Sequence, residues 1–98
     1  MEIKLEVLKI IIDYLLTGLK SKGIESVPLA IDYYWHVPTE ELFDPYITPT
    51  KLDIGLVSDD LAYLLQCVDE KREVFQTDLI NLSAIIRALG ETDNLKNL

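Results

Sequence analysis

With only one cysteine, Cys67, the chain cannot form an intrachain disulfide. Secreted domains of this size lean on such bridges, so a reducing compartment is expected, most simply the cytoplasm. One histidine and one cysteine cannot supply a four-ligand zinc site. The four glycines, at positions 18, 23, 55 and 90, are too scattered to build a phosphate-cradling loop. The P-loop, G-x-G-x-x-G, G-x-S-x-G, EF-hand and H-E-x-x-H patterns are all missing. Long apolar runs are missing too. Lys9 and Asp13 interrupt the N-terminal segment, and its longest uncharged piece, Tyr14 to Leu19, is far shorter than the ~20 residues of a membrane span. No small-residue cleavage site follows, so neither a signal peptide nor a membrane anchor is expected and the chain reads as soluble. Linkers, repeats and low-complexity tracts are missing as well, which predicts one domain over residues 1–98 with a frayed tail from 91 to 98.

Basic side chains are scarce. Nine Lys and Arg face 17 Asp and Glu, a net charge of −8. The deficit is concentrated in residues 39–60, where Glu40, Glu41, Asp44, Asp53, Asp59 and Asp60 face Lys51 alone. Such a field disfavours DNA, RNA and anionic lipid, each of which presents negative charge. It favours encounter with a basic protein. The ordinary role of that charge is to keep a small protein soluble.

Hydrophobic periodicity gives the architecture. Leu5, Leu8, Ile12, Leu15, Leu16 and Leu19 recur at steps of three and four, predicting a helix over 2–22 that ends at a left-handed Gly23. In "VPLAIDYYWHVP" the odd positions from Val27 to Val37 are apolar and the even ones mixed, the period of a strand with one buried face. Thr39 starts a single helical turn that Asp44-Pro45 stops. "KLDIGLV" alternates again, a second short strand that pairs antiparallel with the first. From Ser58 the helical period returns as far as Gly90. One straight helix from Asp59 to Leu89 would run roughly 46 Å, against about 32 Å for a compact domain of this length. A break between Glu70 and Thr77 is therefore expected. The fold class that follows is α+β in the order α-β-β-α-α, with the first and last helices packed on the apolar strand face.

Candidate sites are few. Asp32 and His36 share one face of a strand but lie about 13 Å apart, too far for an Asp-His dyad. Asp59 and Asp60 with Asp53 and Glu40 or Glu41 form an oxygen-rich set of the kind that holds Mg²⁺ or Ca²⁺, and a small metal-binding protein or enzyme using His36 with Asp53, Asp59 and Asp60 is one alternative. The simpler reading of Ser58, Asp59 and Asp60 is helix capping and complementation of the helix dipole. Tyr33 and Trp35 belong to the apolar face and are expected in the core. Tyr34 and Tyr46 are expected to be exposed among acids, a composition common at protein interfaces. Cys67 reads as a small buried helix residue.

"DYYWHVPTEELFDPY", "PTKLDIGLVSDDLAYL" and "DLINLSAIIRALGE" together resemble a family of small, acidic bacterial proteins of uncharacterised function. The resemblance covers roughly residues 27–91 and rests most on Tyr34-Trp35, "IGLVSDD" and "LSAIIRALG". It implies no activity, catalytic residue or cofactor. By analogy of size and charge alone, proteins of this kind include toxin-neutralising immunity proteins. The leading expectation is a non-enzymatic, cofactor-free binding protein of immunity or adaptor type. It would offer Tyr34, His36, Glu40, Glu41, Asp44 and Tyr46 to a basic protein partner. A homodimer joined through a strand edge or the Phe75–Leu89 seam is the other alternative.

Overall fold

The computed structural model describes residues 1–92 and Leu95. The elements follow the expected order: α1 (Leu5–Ser21), β1 (Tyr33–His36), α2 (Thr39–Leu42), β2 (Asp53–Leu56), α3 (Val57–Glu70) and α4 (Gln76–Gly90). α1 ends as its sequence dictates. Gly23 takes φ +83°, and the Ile24 amide reaches back to the Leu19 carbonyl at 3.2 Å, a Schellman closure.

The C-terminal helical region breaks within the predicted interval, at residues 71–75. Lys71 adopts the left-handed conformation (φ +51°), and the Arg72 amide donates to the Cys67 carbonyl at 3.1 Å. No glycine or proline marks this stop. Arg72 stabilises it instead. Its guanidinium donates to Asp78 at 2.8 Å and to the Cys67 sulfur, and lies 5.0 Å from the Tyr63 ring centre and 4.8 Å from that of Phe75. Asp78 also accepts the Phe75 amide at 2.8 Å, which caps α4. A left-handed lysine costs roughly 1–2 kcal/mol of backbone energy. Lys71→Gly should therefore raise stability by about 0.5–1 kcal/mol after the loss of unfolded-state stiffness. Equilibrium urea unfolding of the two proteins checks it.

β1 and β2 pair antiparallel, with Tyr33 opposite Leu56, Tyr34 opposite Gly55, Trp35 opposite Ile54 and His36 opposite Asp53. The strands are shorter than the alternation suggested. Residues 27–32, expected in the strand, lie outside it, and of these Asp32 accepts the Val57 amide through its carbonyl. β2 passes into α3 with no intervening residue.

Packing departs from the expected arrangement. α3 and α4 pack on each other and α3 meets β2, whereas α1 has no comparably packed neighbour among the described residues. α1 does not cover the strands. It lies beside α4, leaving a groove of about 320 Å³ bordered by Ile12, Leu15, Leu16, Leu19, Ile86 and Leu95. The only buried apolar side chains described are Val57, Ala88 and Leu95. Cys67, expected to be buried, is half-buried. The expected fraying of 91–98 falls partly outside the described residues. Of those described, Thr92 donates its hydroxyl to the Ala88 carbonyl at 3.1 Å and Leu95 is buried at the groove. No helix among the described residues is long and apolar enough to cross a membrane.

Candidate interaction surface

Period-2 alternation sorts the hairpin into two faces. Tyr33, Trp35, Ile54 and Leu56 share one face. Tyr34, Gly55, His36 and Asp53 share the other. The sequence pattern identified these sets, but their orientation is inverted. The apolar face is open, with Tyr33 71%, Trp35 65% and Ile54 58% exposed. Tyr33 and Trp35 are therefore not core residues.

On the polar face Tyr34 and Gly55 turn toward the body of the protein while His36 and Asp53 stay exposed, and local bonds show why. The Tyr34 hydroxyl donates to Asp60 at 2.6 Å. Its ring lies over Gly55, where an added Cβ would collide with the ring tip. Partial burial and the Asp60 carboxylate push the Tyr34 phenol up to about 12. One residue before β1, Asp32 accepts the Ser58 amide at 2.9 Å and the Ser58 hydroxyl at 3.1 Å. The Asp32 carbonyl also accepts the Val57 amide at 2.9 Å. These bonds tie the first turn of α3 to the polar side of β1.

Several site expectations change as a result. Ser58 does not cap α3 through its own side chain. Asp32, one residue before β1, supplies the carboxylate that its first turn needs. Asp60 is occupied as the acceptor of Tyr34, and Asp59 sits exposed in the first helical turn. Tyr34 is half-buried and bonded inward, so it leaves the proposed partner surface. Glu41 leaves it too. This carboxylate is 8% exposed and accepts the Thr50 amide at 2.8 Å, the Thr50 hydroxyl at 3.0 Å and the Lys51 amide at 3.2 Å. The Lys51 and Thr50 bonds hold it below the usual carboxylate range. Glu41 is the buried staple of the 43–52 loop. In sequence it looks no different from Glu40, and only the returning Thr50-Lys51 backbone distinguishes them.

His36, Glu40 and Tyr46 are exposed, Tyr46 at 95%, and Asp44 is partly so. Phe43 is 80% exposed beside them in sequence. Asp44 accepts the Tyr46 amide at 3.0 Å, an Asx turn that shapes the loop. His36 and Asp53 face each other across the strands. Among the described residues, however, no three His, Cys, Asp or Glu side chains converge to hold a metal ion. The set His36, Asp53, Asp59 and Asp60 is not brought together as one site. A separate groove of about 510 Å³ is bordered by residues 23–27 and Leu95, with Glu25 its only titratable side chain.

What the hairpin offers is an aromatic and aliphatic patch of Tyr33, Trp35 and Ile54. It continues in sequence into a loop carrying Glu40 and Asp44. Compared with protein-family models, curated proteins and solved structures, the chain matches none.

Proposed function

We propose that the chain is a non-enzymatic protein-binding module, of adaptor or immunity type, that docks the open face of its hairpin on a basic protein. One observation carries this reading: the sheet turns Tyr33, Trp35 and Ile54 away from its own helices while committing Tyr34 to them. Exposed Trp and Tyr are the side chains most enriched at binding hot spots, because they bring large rigid area at low entropic cost. Glu40, Asp44 and Asp53 follow or face the same strand and carry the charge that steers a basic partner.

Trp35 is the only tryptophan, so its emission reports directly on this face. A partner captured by cross-linking and then purified should shift that emission to the blue on titration. Trp35→Ala should lower affinity by roughly 30- to 1,000-fold, the scale of a central aromatic anchor. Glu40→Lys with Asp44→Lys should slow association and flatten its salt dependence. Equal affinity for all three proteins would sink the proposal.

A further inference from the structure

We propose that the protein is a homodimer in which the free face of α1 lies on α1 of a second copy. This goes beyond the partner-binding reading and does not rest on it.

The first argument is area. The chain exposes 8358 Å², where a compact monomer of this mass exposes about 5,700 Å². Its radius of gyration is 15.3 Å, against about 12.6 Å expected for this length. The excess of roughly 2,700 Å² is several times the ~800 Å² that each side of a standard interface buries. It leaves room for a permanent interface as well as a transient one. Permanent interfaces of soluble proteins are most often two-fold contacts between identical chains.

α1 carries an uninterrupted part of that exposed apolar surface. None of its residues is buried. Up to Gly18 its polar side chains, Glu6, Lys9, Asp13 and Thr17, fall within roughly 80° of the helix circumference at 3.6 residues per turn. Every other side chain in that stretch is apolar. An apolar arc this wide serves two contacts. Ile12, Leu15, Leu16 and Leu19 border the groove shared with α4 and Leu95, Ile12 and Leu19 half-buried there and Leu15 and Leu16 still open. On the other side Val7, Ile10, Ile11 and Tyr14 are 49%, 58%, 49% and 77% exposed, and among the described residues no helix or strand packs closely on α1.

Charge selects a second copy as the occupant. Two chains of net charge −8 repel over most of their surfaces. Residues 1–22 are the exception, with Lys4, Lys9, Lys20 and Lys22 against Glu2, Glu6 and Asp13. The free arc of α1 itself bears no charge at all. Identical chains can therefore approach through α1 at the lowest electrostatic cost, whereas a strongly basic partner is drawn to the acidic remainder.

Light scattering of the full chain over a hundredfold concentration range should give twice the 11.2 kDa chain mass. Ile10→Glu combined with Tyr14→Glu should halve it. A second readout does not depend on how those variants fold. With Cys67→Ser, Ile10→Cys should be joined into a covalent dimer by a short bis-maleimide linker, and Lys9→Cys, on the polar side of α1, should not. A wild-type mass of 11.2 kDa throughout, or open-ended assembly, would overturn the proposal. So would cross-linking from Lys9→Cys as efficient as from Ile10→Cys, or a dimer that persists in a folded Ile10→Glu, Tyr14→Glu variant.

Discussion

Gly55→Val should destabilise the fold by about 2–3 kcal/mol, lowering the melting temperature by roughly 10–20 °C. The reason is local. Gly55 sits opposite Tyr34 in the ladder, and any Cβ there meets the Tyr34 ring. The ring is not free to swing aside, because its hydroxyl is held by Asp60 at 2.6 Å. The variant must give up that bond or distort β2, which runs directly into α3. The double variant with Tyr34→Ala removes the clash, so it should be less destabilised than the two single effects add to. Thermal melts of the four proteins measure that coupling. Additive effects would mean that the ring does not lie over Gly55.

The second large effect is a stability window closed on both sides. Glu41 and Asp78 are both held below the usual carboxylate range, Glu41 first by the Lys51 amide and Asp78 first by the Phe75 amide. Unfolded, such groups titrate at about 4. Where the folded value is the lower one, the unfolded chain binds more protons in acid. The contribution is therefore complete above about pH 5 and is lost as pH falls below about 4 toward the folded values. Tyr34 works in the opposite sense. Its folded value is pushed up to about 12, above the unfolded value near 10. Its contribution is complete below about pH 10 and lost as pH rises toward 12. Melting temperatures measured from pH 3 to 11 should form a plateau with two falling edges. Glu41→Gln should lower the plateau and flatten the acid edge, and Tyr34→Phe should flatten the alkaline edge. An acid edge unchanged by Glu41→Gln would remove Glu41 from this account.

The order of elements was legible because hydrophobic period is a local property. The step of three and four along α1, the alternation in "DYYWHV" and the length limit on a single C-terminal helix each depend on near neighbours or chain length. Which way the sheet faces was not legible. Alternation shows that Tyr33 and Trp35 share a side, but not what covers that side. That is decided by contacts 26 residues apart in sequence, Tyr34 with Asp60 and Asp32 with Ser58. The rule that apolar strand faces turn inward then failed, because α3 is tied to the opposite side of β1 through Tyr34 and Asp32. Glu41 was missed for a related reason. An acid in a charge-rich loop reads as solvated until the chain returns to donate two backbone amides to it. The break at Lys71 was found from length alone, and the Arg72 joint that holds it has no sequence signal shorter than the full Tyr63–Asp78 span.

The direct passage of β2 into α3 leaves the molecule without a hinge at that junction. No loop residue is free there to absorb a backbone rotation, and the Val57 and Ser58 amides are both anchored on Asp32. The hairpin and the first turns of α3 therefore behave as one lever. The far end of the same helix meets α4 at the Cys67–Arg72–Asp78 joint, so α3 connects the hairpin to α4 by fixed bonds at both of its ends.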